Sequence, residues 1–152
     1  MPKNKDRHTV LVIHGPNLNM LGIREPEVYG KTTLDEINRD LVKTGKELGL
    51  DVETFQSNNE GEIVGKIQKS LETKSGLIIN PAAYTHTSIA IRDALLLLNI
   101  PVIEIHLSNI YKREPFRHKS MIAGAATGQI SGLGMHGYIL ALEAIAKMIL
   151  PS

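Results

Sequence analysis

Short apolar runs alternate with amphipathic segments along this chain of 152 residues. The apolar runs predict five strands, over residues 9–13, 50–55, 76–79, 101–106 and 129–131. Segments in which apolar side chains recur every three or four positions predict helices over residues 33–48, 60–72, 87–98 and 135–150. This alternation indicates a parallel sheet that is covered by helices on both faces.

Polar residues mark where the predicted helices begin. Thr33 is followed three residues later by Glu36, which forms a capping box, and Asn59 suits the start of the second helix. Either Thr87 or Ser88 suits the start of the third helix. No linker or repeat interrupts the pattern, so we expect an N-terminal tail of residues 1–8 and a single domain over residues 9–152.

Composition excludes several function classes. Basic residues number 17 and acidic residues 16, with no basic stripe, so we expect no nucleic-acid partner. The chain has no cysteine, which removes disulfides, thiol nucleophiles and cysteine metal sites and fits a reducing compartment. The charged N-terminus precedes only four consecutive apolar residues, too few for a signal peptide or a membrane span. We therefore expect a soluble, cytoplasmic protein without a membrane partner.

Polar clusters follow three of the predicted strands. They read HGPNLN from His14, NPAAYTHTS from Asn80 and HLSN from His106. Because the carboxyl ends of parallel strands share one edge of a sheet, where ligands bind, we expect these clusters to form one site. A fourth cluster, QSNNEGE from Gln56, is expected to lie outside it, with its polarity explained by helix capping.

Arg24 and Tyr29 lie five residues apart in the long loop after the first strand. Free tyrosine titrates at about pH 10, but a nearby positive charge favours the phenolate. The pair can therefore supply a base at neutral pH. The alternative is a surface loop in which both side chains only pack on nearby structure.

Glu104 and His106 lie two residues apart on the fourth strand, so their side chains point to the same face. A carboxylate beside an imidazole orients the ring and favours its protonated form. This arrangement suits a general acid. The alternative is a structural histidine that only satisfies a hydrogen bond.

Two further segments indicate that the ligand is a small anion or polyol. Asn80 and His86 precede a helix, whose first amide groups attract anions. The loop after the fourth strand has four basic residues within seven positions, Arg113, Arg117, His118 and Lys119. These side chains suit a clamp for a carboxylate or a hydroxyl-rich molecule, and the alternative is a solvated basic face.

Other classes of site have weaker support. Gly132, Gly134 and Gly137 spell the dinucleotide motif G-x-G-x-x-G, but the acidic residue that should follow about 20 positions later is missing, so close helix packing explains them more simply. A regulatory module of receiver type needs paired acids after the first strand, where this chain has His14 and Gly15. The six histidines are scattered without metal-ligand spacing, so we expect no metal.

Four segments of the chain resemble the type II dehydroquinases (3-dehydroquinate dehydratases) in order and spacing. They read GPNLNMLGIREPEVYG, INPAAYTHTS, IEIHLSN and REPFRHKS, and the resemblance covers residues 10–150. It implies an α/β flavodoxin-like fold, a five-stranded parallel sheet flanked by helices on both faces. It also implies anti dehydration of 3-dehydroquinate to 3-dehydroshikimate through an enolate, a step of the shikimate route to aromatic amino acids, without metal or cofactor.

The resemblance also implies roles for individual residues in the chemistry. Tyr29 is the proton acceptor, and Arg24 stabilises its phenolate and the developing charge. His106 is the proton donor, and Asn17 holds a water at the enolate oxygen. Glu104 is assigned from the residues themselves as the group that orients His106, and the family pattern agrees.

The substrate contacts are implied in the same way. Asn80 and the backbone amides of Leu107 and Ser108 hold the carboxylate. His86 and Arg117 bind the ring hydroxyls.

Assembly is expected because the third helix ends in four consecutive leucines, residues 95–98. These leucines point around more than one face of the helix, so some would face water in a monomer. The resemblance implies trimers, four of which form a homododecamer. In that assembly Asp93 would reach the site of a neighbouring subunit.

Overall fold

The apolar runs form one parallel sheet in the computed structural model, which describes residues 7–23, 27 and 31–151. The strands are β1 His8–His14, β2 Leu50–Gln56, β3 Gly76–Asn80, β4 Val102–His106 and β5 Gly128–Ser131. Their order in the sheet is β2-β1-β3-β4-β5, and every neighbouring pair is parallel. This is the flavodoxin-like order. The predicted strands and fold class are therefore confirmed, with strand ends shifted by no more than one residue.

Four α-helices cover the two faces of the sheet within the described ranges. They are α1 Leu34–Leu48, α2 Glu60–Ser70, α3 Ile89–Leu96 and α4 His136–Ile149. Side chains alternate between the faces along β1. Val10 and Val12 pack in the core beneath α1 and α4. Leu11 and Ile13 pack in the core beneath α2 and α3.

The predicted caps position three of these helices. The Thr33 side chain accepts a hydrogen bond from the Glu36 amide at 3.3 Å, and Asn59 caps α2 in the same way. Of the two candidates before the third helix, Ser88 is the cap, since its hydroxyl accepts from the Ile91 amide at 2.9 Å. The prediction of a helix over residues 87–98 is wrong at both ends, because the Ser88 cap delays its start and α3 ends at Leu96.

The leucine run at the end of α3 faces more than one direction, as predicted. Leu95 is buried, whereas Leu96 and Leu97 are 56% and 60% exposed in the single chain. An exposed pair of leucines on one helix end is an apolar surface that a single subunit leaves uncovered.

The glycines of the G-x-G-x-x-G motif have structural roles. A Cβ on Gly137 would lie 2.5 Å from Cδ1 of Ile105, so α4 approaches β4 more closely than a larger residue allows. Gly132 and Gly134 have positive φ angles of 87° and 61°, which glycine adopts without strain. Their amides donate to the carbonyls of His106 and Leu107. The predicted close packing is therefore confirmed for Gly137, whereas turn geometry explains Gly132 and Gly134.

Candidate active site

The three polar clusters meet in one pocket at the carboxyl edge of the sheet. Seven predicted site residues line it, namely Asn17, Asn80, His86, His106, Leu107, Ser108 and Arg117. The other lining residues are Pro16, Leu18, Leu21, Ala82, Ala83, Ile110 and Arg113. The convergence predicted from the strand ends is confirmed.

His106 and Glu104 form a buried pair at the end of β4. Glu104 is fully buried and His106 is 5% exposed, with Nε2 of His106 2.5 Å from Oε2 of Glu104. The hydroxyl of Ser120 donates to Oε2 at 2.9 Å, and the Gln129 amide donates to the same oxygen at 2.7 Å. Burial opposes ionisation of Glu104, but these hydrogen bonds and the nearby imidazole hold its pKa below the usual value. Glu104 is therefore an oriented carboxylate.

The contact with Glu104 determines which ring atom of His106 serves the pocket. With Nε2 bonded to the carboxylate, Nδ1 is the remaining ring nitrogen, and it makes no hydrogen bond to any residue in the described part of the chain. A protonated His106 can thus donate from Nδ1 to a ligand. The geometry fits the predicted proton donor.

His86 presents an acceptor to the pocket. Its Nδ1 lies 2.9 Å from the carbonyl oxygen of Lys119, which can only accept, so Nδ1 carries the proton. Burial lowers the pKa of His86. The neutral ring therefore has a bare Nε2, which suits a hydroxyl group of a ligand.

Asn80 lies at the end of β3 with its side chain held on two sides. Its Oδ1 accepts from the Ala82 amide at 3.1 Å, and its Nδ2 donates to the hydroxyl of Tyr138 at 3.2 Å. The tight turn gives Ala82 a positive φ of 52°, an uncommon conformation for a residue with a Cβ. Asn80 is only 3% exposed, so its amide faces the pocket from a fixed position.

The loop that carries Asn17 rests on residues after β2. Asn17 has a φ of 68°, which asparagine tolerates, and its backbone N–H donates to Oδ1 of Asn58 at 2.9 Å. Gln56 donates to the Gly15 carbonyl at 3.2 Å and to Oδ1 of Asn58 at 3.1 Å. No residue of the QSNNEGE cluster lines the pocket, so the prediction that it lies outside the site is confirmed, although Gln56 and Asn58 support the Asn17 loop. Helix capping accounts for Asn59, whose Oδ1 accepts from the Glu62 amide, but not for Gln56 and Asn58, which hold the loop.

The basic loop after β4 sends two arginines into the pocket. Arg117 and Arg113 both line it, whereas His118 and Lys119 do not. Nε of Arg117 donates to Oε2 of Glu114 at 2.8 Å, and this hydrogen bond lowers the pKa of Glu114. This contact therefore helps to hold the loop as one wall of the pocket. The structure thus brings two of the four basic residues of the predicted clamp, Arg113 and Arg117, to the pocket.

Among the described residues of the predicted site, Glu104 and Asp93 do not line the pocket. Arg24 and Tyr29 lie outside the described residues, so the predicted base and its partner stay predictions. Asp93 is exposed on α3 and does not line the pocket of its own chain.

The described residues contain no group of three or more His, Asp or Glu placed to hold a metal ion. None of their helices is long and apolar enough to span a membrane.

Sequence comparisons agree with the resemblance seen in the motifs. The family model described as "Dehydroquinase class II" matches residues 8–146. The 3-dehydroquinate dehydratase of Endomicrobium trichonymphae is 59% identical over 140 residues, which cover 92% of this chain and 98% of that protein. The 3-dehydroquinate dehydratase of Halothermothrix orenii is 56% identical and covers 92% of this chain and 95% of that protein.

Solved structures with similar folds carry related names. The type II dehydroquinase from Propionibacterium acnes has a TM-score of 0.89 and 48% identity, over 91% of this chain and 96% of that one. The type II dehydroquinase from Butyrivibrio crossotus has a TM-score of 0.90 and 45% identity, over 91% of this chain and 97% of that one. With a family model spanning most of its length and relatives above half identity, the chain belongs to the class II dehydroquinase family.

Proposed function

We propose that this protein is a type II 3-dehydroquinate dehydratase, which eliminates water from 3-dehydroquinate to give 3-dehydroshikimate. The observation that carries the proposal is the buried Glu104–His106 pair, with Nδ1 of the imidazole left for a ligand in a pocket of polar donors and acceptors. The names of relatives that share most of their length with this chain identify the substrate.

The pocket lining suits a carboxylate on a hydroxylated ring. The lining includes the amide of Asn80 and the residues Leu107 and Ser108 after β4, whose backbone amides are the proposed carboxylate donors. It also includes the bare Nε2 of His86 and the guanidinium of Arg117, which suit ring hydroxyls. The pocket therefore offers groups for both kinds of polar group on the substrate.

The proposed reaction begins with removal of a proton from C2 of 3-dehydroquinate by the Tyr29 phenolate. Arg24 favours the phenolate by its charge. The electron pair of the broken C2–H bond moves to the neighbouring carbonyl, and a water held by Asn17 donates to the enolate oxygen. The first step therefore gives an enolate and a protonated Tyr29.

The second step expels the C1 hydroxyl as water. The enolate electrons return to form the C1–C2 double bond while His106 gives the leaving oxygen a proton from Nδ1. Glu104 remains ionised and stabilises the imidazolium before transfer. Return of the proton from Tyr29 to His106 restores the starting state, and no metal or cofactor takes part.

The wider context follows from the same proposal. The product belongs to the shikimate route to aromatic amino acids, and the proposed location is the cytoplasm. The exposed leucine pair at the end of α3 supports the proposed homododecamer, built from four trimers. In it Asp93, which lies away from the pocket of its own chain, would complete the site of a neighbouring subunit.

Replacing Tyr29 by Phe tests the proposal, because it keeps the ring and removes the ionisable oxygen. We expect kcat to fall by at least about a hundredfold, the scale of one general base. The product, a conjugated enone, is followed by its ultraviolet absorbance. Tyr111→Phe is the matched control, since Tyr111 is 61% exposed and is not a proposed catalytic group, and it should keep normal turnover. Near-normal turnover by Tyr29→Phe would assign the base to another residue.

A further inference from the structure

Behind the pocket, four polar side chains form a continuous hydrogen-bonded chain. Nε2 of His14 lies 2.8 Å from Oδ1 of Asn38, and Nδ1 of His14 lies 2.9 Å from the hydroxyl of Tyr138. The same hydroxyl accepts from Nδ2 of Asn80 at 3.2 Å. His14 and Tyr138 are fully buried, although they are 124 residues apart in sequence. Only Asn80 has a role in the proposed reaction.

Each proton in this hydrogen-bonded chain has a defined place. Oδ1 of Asn38 can only accept, so the proton of the neutral His14 ring is on Nε2. Burial lowers the pKa of His14 to about 4 and raises that of Tyr138, so both groups are neutral at pH 7. Nδ1 of His14 is therefore a bare acceptor, and the Tyr138 hydroxyl must donate to it. The oxygen of Tyr138 is then left to accept, and Asn80 is its donor.

This order fixes the amide group of Asn80. Turning the amide over would place its NH2 group against the Ala82 amide, which is also a donor. It would also draw the Tyr138 proton away from His14 and leave Nδ1 without a donor. In the observed orientation one N–H of Asn80 is used by Tyr138, and the second is free for the pocket.

We propose that Tyr138 and His14 are positioning residues, which hold Asn80 so that its second amide N–H points at the carboxylate of the substrate. The inference rests on the proposed function, because that function supplies the carboxylate. A carboxylate accepts hydrogen bonds and cannot donate them, so an amide that presented its oxygen would repel it. The hydrogen-bonded chain of Asn38, His14, Tyr138 and Asn80 keeps an N–H donor of Asn80 facing the ligand.

Removing the Tyr138 hydroxyl tests this role. In Tyr138→Phe the Asn80 amide loses one of its two anchors, and we expect KM for 3-dehydroquinate to rise about tenfold while kcat stays within about twofold. This split is expected because the proton donor, His106, does not belong to the hydrogen-bonded chain of Asn38, His14, Tyr138 and Asn80. An unchanged KM in a folded Tyr138→Phe protein would overturn the inference.

A double-mutant cycle separates action through Asn80 from a general structural effect. If Tyr138 acts through Asn80, the Asn80→Ala protein should have the same KM with and without Tyr138→Phe. Independent, multiplying effects on KM would contradict the proposal. His14→Asn places an amide oxygen near the position of Nδ1, so it should retain the acceptor for Tyr138 and keep KM near the wild-type value. A KM in His14→Asn as high as that in Tyr138→Phe would also count against the proposal.

Ser70→Ala is the control for lost stability. The Ser70 hydroxyl is buried and donates to the carbonyl of Ile67 at 2.6 Å on α2, away from the pocket. Its loss should lower the resistance to unfolding without a change in KM, and a tenfold rise there would refute a specific role for Tyr138. Wild-type protein is assayed first. Absence of turnover would overturn the proposed function and this inference with it, whereas wild-type turnover with an unchanged KM in Tyr138→Phe would overturn the inference alone.

Discussion

Acidification should destabilise the protein through His14 before its carboxylates protonate. The ordinary pKa of histidine is 6.5, and burial lowers that of His14 to about 4. Between pH 4 and pH 6.5, therefore, the unfolded chain binds a proton on His14 and the folded chain does not. The contribution of neutral His14 to the free energy of unfolding is fully present above pH 6.5 and is lost as the pH falls towards 4. The loss is about 1.4 kcal/mol per pH unit within the window, or about 2 kcal/mol between pH 7 and pH 5.

Urea unfolding measures this loss directly. The chain has no tryptophan, so far-ultraviolet circular dichroism is the suitable signal. Unfolding free energies are measured at pH 7, 6 and 5 at one protein concentration, for the wild type and for His14→Asn, which cannot titrate. His86, whose pKa is also lowered by burial, is present in both proteins and cancels in the comparison. The lowered pKa of Glu104 contributes stability that is lost below its ordinary value of 4.5, outside this range.

The comparison has two distinct outcomes. The account predicts that the wild type loses about 2 kcal/mol more than His14→Asn between pH 7 and pH 5. Equal losses in the two proteins would refute the reasoning, because they would mean that the folded protein accepts a proton on His14 as readily as the unfolded chain does.

Three further predictions concern the site. Glu104→Gln removes the buried carboxylate beside the proton donor, so the high-pH limb of the kcat profile should move to lower pH, and an unchanged profile would exclude the orienting role. Gly15→Ala places a Cβ 2.5 Å from the carbonyl oxygen of Pro81, so chemical denaturation should show a loss of about 1–3 kcal/mol together with a raised KM, and wild-type values of both would contradict the packing argument. Mixing Tyr29→Phe with Asp93→Ala under conditions of subunit exchange should restore part of the activity, whereas a fully active monomer would rule out a shared site.

The fold and half of the site could be predicted because their signals are local. Hydrophobic periodicity gave every strand to within one residue. The two-residue repeat of a strand places Glu104 and His106 on one face, and the structure brings them into contact. The rule that parallel strands share their carboxyl edge gathered the three polar clusters into one pocket.

The supporting contacts could not be predicted because they join residues that are distant in sequence. Gln129 reaches Glu104 only because β5 pairs with β4 at that register. Tyr138 sits on a helix whose pattern predicts burial but does not identify its hydrogen-bond partner, His14, on the first strand. Asn58 supports the Asn17 loop because β2 lies beside β1. Such pairs depend on strand order and on the direction of each side chain, which a periodic pattern does not contain.

The central claim is the dehydration of 3-dehydroquinate by a metal-free, acid–base mechanism. The most direct measurement is the ultraviolet absorbance of the conjugated enone product when purified protein is mixed with 3-dehydroquinate in a buffer that contains EDTA. The account predicts sustained turnover in EDTA, no inactivation when borohydride is added with the substrate, and loss of turnover in a folded His106→Ala protein. No absorbance change with the wild type, or borohydride inactivation with a covalent mass increase, would contradict it.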